Sequence, residues 1–90
     1  MRKIVASNKF KKDLVNAQKR GFDIKLLSNV VTMLANGETL EPKYKDHPLI
    51  GDYDDFRECH IKPDWLLIYS ISEETLVLEL LRTGSHSDLF

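Results

Sequence analysis

The apolar residues of this chain change their spacing at Gly37, and this change restricts the fold more than any other feature of the sequence. Before it, Phe10, Leu14 and Ala17 fall at i, i+4 and i+7, which is the spacing of one helix face. After it, the apolar residues come in short runs of strand length. The chain is therefore predicted to place its helices first and most of its strands afterwards. The helical period also holds in a second group, Ile24, Leu27, Val30, Val31 and Leu34.

The N-terminal part is predicted to form one strand and a helical hairpin. Residues 2–6 (RKIVA) form the strand. Ser7 or its neighbour offers an N-cap oxygen to a helix that runs to about Arg20. Asp23 caps a second helix over about 23–36. Because the connection is two or three residues long, the two helices are expected to pack antiparallel.

The C-terminal part is predicted to be a meander of three strands. Residues 56–61 form the first, and 65–71 (WLLIYSI), which are almost continuously apolar, form the central one. Residues 76–81 form the last. Their connections are hairpin-short, so these strands are expected to be antiparallel. The prediction is a single α+β domain over residues 1–90, ordered β-α-α-β-β-β, with an antiparallel sheet against a helical hairpin.

The formal charge is segregated along the chain. Residues 1–36 carry eight basic and two acidic side chains, a net +6, and residues 37–90 carry a net −7. This asymmetry indicates either a basic face for a polyanion or simply a solvated lysine-rich helix surface. The single cysteine, Cys59, excludes an intramolecular disulfide. The N-terminus resembles no signal peptide and no membrane span is expected, so a reducing cytoplasm is the predicted location.

Three histidines, His47, His60 and His86, offer proton-transfer chemistry. Strand alternation places His60 opposite to Cys59, and Asp64 follows directly in the next turn. A meander can bring His60, Asp64, Arg82 and His86 to one sheet face. Histidine transfers protons near neutral pH, a carboxylate orients an imidazole, and arginine binds phosphate. This set suits metal-free cleavage of RNA, in which the 2′-OH is the nucleophile.

Other interpretations of these residues remain open. A zinc site of the three histidines with Cys59 has no compact ligand spacing, and Ser85 and Ser87 lie in no nucleophile elbow. Cys59 is expected in the core. Trp65 is either a core residue or a platform for a base. Phe90, the last residue, either packs and fixes the tail or stays exposed.

The C-terminal half resembles a known family of bacterial proteins. The segments YKDHPLIG, FRECHIKPDWLLIY and RTGSHSDLF are similar to motifs of the YafQ-type branch of the RelE/ParE superfamily, toxins of type II toxin–antitoxin systems. The match covers residues 44–90, and residues 1–43 agree in layout. Glu58 is a departure, because the relative carries aspartate there, and it is retained as an accessory group.

The resemblance implies a RelE/ParE-like fold and a ribosome-dependent endoribonuclease that cuts mRNA in the A site. It implies no cofactor or metal. The partners it implies are a tightly bound cognate antitoxin in an operator-binding complex, and the 70S ribosome with its mRNA. A toxin of the same fold that acts on DNA gyrase is the alternative. The catalytic residues it implies are His47, His60, Asp64 and His86.

Two further groups complete these expectations. The residues predicted to contact RNA or phosphate are Arg57, Trp65, Arg82 and Phe90. The basic helix residues predicted to meet the ribosome are Lys9, Lys11, Lys12, Lys19 and Arg20.

Overall fold

The computed structural model describes all ninety residues, Met1 to Phe90, as one five-stranded sheet with helices. Two short 3-10 turns, Pro42–Tyr44 and Gly51–Tyr53, lie in the connector. The predicted α+β class and the order of the main elements are confirmed. The elements are β1 (Lys3–Ala6), α1 (Asn8–Lys19), α2 (Ile24–Ala35), β2 (His47–Pro48), β3 (Arg57–Lys62), β4 (Trp65–Ser72), β5 (Val77–Gly84) and α3 (His86–Leu89).

The sheet is mixed and has the strand order β1-β5-β4-β3-β2. Strands β3, β4 and β5 form the expected antiparallel meander. β1 instead pairs with β5 in parallel, with Lys3 opposite Val77. The sequence predicted an antiparallel sheet because short hairpins fix the direction of β3 to β5. No such hairpin joins β1 to its neighbour, so its direction follows from the path of the helices.

Both long helices begin at the predicted caps. The Ser7 side chain accepts a hydrogen bond from the backbone N–H of Phe10, and Asp23 accepts one from Lys25. The Ser7 hydroxyl also donates to the carbonyl of Leu81 at 2.7 Å. The start of α1 is thereby fixed against the edge of β5.

Apolar side chains form clusters on both faces of the sheet. The main core lies under the helices and includes Phe10, Leu27, Val30 and Tyr69. A smaller cluster of Leu66, Ile68 and Leu89 lies apart from it. Because alternate residues of a strand point to opposite faces, β4 supplies Leu66 and Ile68 to the small cluster and Leu67 and Tyr69 to the core. The nearly continuous apolar run of β4 thus serves two cores.

Two elements of the C-terminal part differ from the predicted pattern. β2 is a two-residue edge strand within the segment expected to be a connector, and residues 86–89 form the short helix α3. β5 also extends to Gly84, so that Arg82 lies within the strand and not at its end. None of the helices has the length and apolar character needed to cross a membrane.

Candidate active site

Strand β3 separates core residues from candidate site residues by alternation. Cys59 and Ile61 are buried in the main core, and burial raises the pKa of the Cys59 thiol to about 12. Glu58 and His60 point to the opposite face. The expectation that Cys59 is a core residue is confirmed, and the thiol lies on the face away from the imidazole of His60.

Edge strand β2 brings His47 to Glu58. The two residues are directly opposite in the antiparallel pair, and His47 Nε2 lies 3.8 Å from Glu58 Oε1. His60 Nε2 lies 3.3 Å from the same oxygen. The Glu58 side chain is only 7% exposed, so a nearly buried carboxylate stands between two imidazoles. A buried carboxylate is costly unless it is paired, and the two histidines supply that pairing.

The other ring nitrogen of each of these histidines contacts a backbone carbonyl. His47 Nδ1 lies 2.7 Å from the oxygen of Lys45, and His60 Nδ1 lies 3.3 Å from the oxygen of Pro63. A carbonyl accepts only, so an N–H at Nδ1 satisfies each contact. Local chain geometry therefore orients both rings.

Helix α3 carries the third histidine and is held at both of its sides. Ser85 and Asp88 form a reciprocal capping box, in which each side chain accepts from the other's backbone N–H. Asp64 Oδ1 accepts from the backbone N–H of His86 at 3.0 Å and contacts its Nδ1 at 2.7 Å. The backbone hydrogen bond, followed by the side-chain one, lowers the pKa of Asp64.

These contacts place the three histidine rings in a row. The ring centroids of His47 and His60 are 6.4 Å apart, and those of His60 and His86 are 5.7 Å apart. Asp64, which the sequence groups with both His60 and His86, forms its hydrogen bonds with His86. The row contains every histidine of the chain. The carboxylate of Glu58 contacts His47 and His60, and that of Asp64 contacts His86.

Arg82 forms an ion pair with Asp13 of helix α1. Its guanidinium donates two hydrogen bonds to Asp13, at 2.7 and 3.1 Å, and the contact raises the pKa of Arg82. Asp13 Oδ2 also accepts from the backbone N–H of Thr83. The sequence grouped Arg82 with the histidines, but the nearest charged partner in the structure belongs to helix α1.

Arg57 is likewise paired, with Asp46. The guanidinium of Arg57 donates from Nε and Nη2 to the two carboxylate oxygens of Asp46, at 3.2 and 3.3 Å. The Tyr69 hydroxyl donates to the same carboxylate at 2.5 Å. Burial, followed by the hydrogen bond to Asp46, raises the pKa of Tyr69. Asp46 precedes His47, so this group fixes the loop that carries β2.

The two aromatic candidates lie in contrasting environments. Trp65 is 3% exposed, packs on Phe22 with ring centroids 4.9 Å apart, and donates from Nε1 to Thr83. These contacts agree with the core interpretation of Trp65. Phe90 is 62% exposed. Its ring packs edge-on against that of Tyr53, with the ring centroids 6.0 Å apart. The buried anchor of the tail is Leu89.

The basic residues of α1 and its C-cap, Arg20, are exposed, and Arg20 has a specific partner. The four lysines point to solvent. Arg20 bonds Asp88 at 2.6 Å and lies 4.7 Å above the ring of Phe22. Arg20 thus joins the end of α1 to helix α3.

One group of side chains has the donor chemistry to hold a metal ion. Ligand atoms of Glu58, His60 and His86 all lie within 4.8 Å of one another. Two imidazoles and a carboxylate are a donor set that zinc accepts. Cys59 is excluded from this set by its burial on the opposite face.

Several residues that organise the site carry little signal in the sequence. The sequence indicates Glu58 only as an accessory group and does not indicate Asp13 or Asp46. The one available signal was an acidic residue on the histidine side of β3. Asp13 and Asp46 pair with arginines that lie 69 and 11 residues away in the chain. No local sequence pattern reveals pairs at such separations.

The fold is a RelE-like α+β domain, in which a mixed sheet packs against a helical hairpin. Its candidate site consists of three histidines that contact two carboxylates. The family model for YafQ, described as a bacterial toxin of type II toxin–antitoxin systems, matches residues 2–90. The chain belongs to this family.

Relatives of known name agree with this assignment. The "mRNA interferase toxin YafQ" of Escherichia coli K12 is 42% identical over 90 residues, which span 99% of this chain and 96% of that protein. A metal-bound toxin from Helicobacter pylori is 57% identical, with full coverage of both chains and a TM-score of 0.94. YafQ in the E. coli DinJ–YafQ complex is 41% identical, with 100% and 99% coverage and a TM-score of 0.91.

Proposed function

We propose that this chain is the toxin of a type II toxin–antitoxin system and an endoribonuclease that cuts mRNA. In this proposal it acts in the ribosomal A site, in the cytoplasm, and transfers protons without a metal ion. The observation that carries the proposal is the row of His47, His60 and His86. The naming of the E. coli relative as an mRNA interferase supports the same reaction.

The reaction needs two proton transfers at one phosphodiester. A base removes the proton of the 2′-OH, whose oxygen then bonds to phosphorus, and an acid protonates the leaving 5′-oxygen. Asp64 holds Nδ1 of His86 and leaves Nε2 as the nitrogen that exchanges a proton with substrate. The partner in the second transfer is drawn from His60 and His47. Each well-placed group of this kind contributes about 10²–10⁴-fold.

Charge stabilisation and positioning are assigned to surrounding groups. The carboxylate of Glu58 lies 3.3 Å from His60 Nε2 and is proposed to position that ring. Arg82 is proposed to contact phosphate while Asp13 holds its guanidinium. Arg57 and Phe90 remain proposed RNA contacts. Trp65 is 3% exposed and packs in the core, so it is not proposed as one.

The proposed macromolecular partners follow from charge and from the family. The exposed lysines of α1 are suited to ribosomal RNA, because affinity for a phosphate backbone depends on basic side chains. A ribosome also supplies the mRNA in a fixed geometry, which lowers the entropic cost of reaction. The complex of E. coli YafQ with DinJ supports a cognate antitoxin as the second partner, in an operator-binding assembly.

Single-turnover cleavage on translating ribosomes tests the proposal. His86→Ala is expected to lose about 10²–10⁴-fold in rate, roughly 3–5 kcal/mol of barrier, with an unchanged fold. Ser87→Ala, on the next residue of α3, is the matched control and should cleave normally. Full cleavage by His86→Ala would refute the assignment, and DNA breaks without mRNA cleavage would support the action on gyrase.

A further inference from the structure

A cavity of about 440 Å³ adjoins the histidine row between α2 and β3. This volume lies within the range of about 300–1,000 Å³ that small-ligand sites occupy. It is large enough for one nucleotide and opens to solvent. We call it the lysine cavity, and the lining residues that matter here are Asn29, Lys43, Tyr44, Lys45, His60 and Lys62.

The lysine cavity has a strongly positive lining. Three lysines from two separate segments border it, and no acidic residue does. Lys43 lies 3.8 Å from Glu41 and 5.2 Å from the ring of Tyr44. Lys45 and Lys62 form no ion pair. Two unpaired ammonium groups at one cavity repel each other. A bound anion would offset this repulsion, so the cavity attracts anions.

Lys45 connects this cavity to the candidate active site through its backbone. It adopts a left-handed conformation with φ 49°, which is unfavourable for a residue with a Cβ atom. In that conformation its carbonyl oxygen contacts His47 Nδ1 at 2.7 Å, and the same residue lines the cavity. His60 belongs to both the row and the cavity wall.

The remaining lining groups suit a nucleobase. Asn29 is exposed on α2, and its amide both donates and accepts hydrogen bonds, as a base edge does. The aliphatic and aromatic groups of Leu26, Tyr44 and Pro63 supply an apolar wall. Because His60 is also one of the lining residues, an RNA strand whose phosphate reacts beside His60 would pass close to the cavity in one of its two directions.

We propose that the lysine cavity binds the nucleotide next to the scissile phosphate. Lys45 and Lys62 contact its phosphate groups, and Asn29 reads the edge of its base and thereby contributes to the choice of cut site. This inference rests on the proposed function, since it assigns a subsite for the same RNA. An acidic peptide from a protein partner is the competing occupant and is an outcome of the test.

Salt-dependent binding of a short RNA tests the two lysines. The probe carries a 2′-O-methyl group on every sugar, so that it has no nucleophile and is not cut. For single strands, the slope of log K against log salt changes by about 0.7 for each phosphate contact. Lys45→Gln and Lys62→Gln should each lower the slope by about that amount. Lys25→Gln, an exposed lysine of α2 outside the cavity, is the matched control.

Cut-site mapping on translating ribosomes tests Asn29. Asn29→Ala should broaden the set of codons that are cut, while Ser28→Ala, its exposed neighbour on α2, leaves the pattern unchanged. Equal slopes for all three lysine variants, no binding of the RNA by the unmodified chain, or lysine-dependent binding of an acidic peptide alone would each overturn the cavity proposal. Failure of the unmodified protein to cleave mRNA would instead refute the proposed function, because the uncut probe reports binding without chemistry.

Discussion

Asp64 holds His86 through two hydrogen bonds to a single carboxylate oxygen, one from the backbone N–H and one involving Nδ1 of the ring. The aspartate lies in the turn between β3 and β4, and the histidine begins α3 after the end of β5. One side chain therefore fixes both the position of the tail and the orientation of its imidazole. The position of the C-terminal helix therefore depends on a residue 22 positions earlier in the chain.

Asp64→Asn is expected to slow cleavage by about 10²-fold, the lower end of what a proton-transfer group contributes. The amide keeps one acceptor for the backbone N–H of His86 but loses the charge that orients the imidazole. Single-turnover rates on ribosomes measure the loss. Asp52→Asn, at an exposed position of the 3-10 turn Gly51–Tyr53, is the control and should retain its rate. Equal rates for both variants would show that Asp64 does not act through His86.

Acid is expected to release α3 only below about pH 4, the ordinary range for aspartate. The backbone N–H groups of His86 and Ser85 lower the pKa of Asp64 and Asp88, respectively. A lowered folded-state pKa means that the attachment is complete above the unfolded value and is lost as the pH falls through the folded one. The methyl resonances of Leu89, followed by NMR, report this release. Loss of the packed signals between pH 7 and 5 would contradict the prediction.

Deletion of Leu89 and Phe90 is expected to damage cleavage before it unfolds the domain. Leu89 packs against Leu66 and Ile68, so Leu89→Ala should free α3 and reproduce most of the loss. Phe90→Ala should leave the melting temperature unchanged, because that ring is largely exposed. Melting curves and cleavage rates of the three variants separate anchoring from RNA contact. Normal cleavage by the truncated chain would mean that His86 has another anchor.

Arg82→Ala is expected to lower the free energy of unfolding by about 1–3 kcal/mol, the cost of leaving a charged hydrogen-bonding partner unpaired. Asp13→Ala should cost a similar amount, and the double variant should cost less than the two together. Urea denaturation provides these values. Additive losses would show that the two side chains have no coupling energy, and would contradict the structural role of this ion pair.

Zinc is expected to inhibit cleavage, since coordination by Glu58, His60 and His86 occupies nitrogens that carry protons in the proposed reaction. A chelator selective for zinc over magnesium should leave the rate of the metal-free protein unchanged, and the ribosome keeps its magnesium. Glu58→Gln should weaken inhibition by zinc. If the chelator abolished cleavage, the proposal of metal-independent chemistry would be wrong.

Local patterns predicted the elements well where one residue determines the conformation. Ser7 and Asp23 cap the helices as expected because a capping oxygen acts within three residues. Alternation correctly separated Cys59 from His60, since a strand has a strict period of two. The short strand β2 was missed because two residues carry no periodic signal, and its pairing with β3 fixes it.

The sequence by itself determined the helical hairpin, the three-stranded meander and the set of histidines, because these follow from spacing and residue type. Tertiary structure alone decided the partners of the charged groups. The ion pairs it forms are Asp64 with His86, Asp13 with Arg82, and Asp46 with Arg57. The reason is that a salt bridge depends on distances of a few ångströms between side chains, and separation along the chain does not specify those distances.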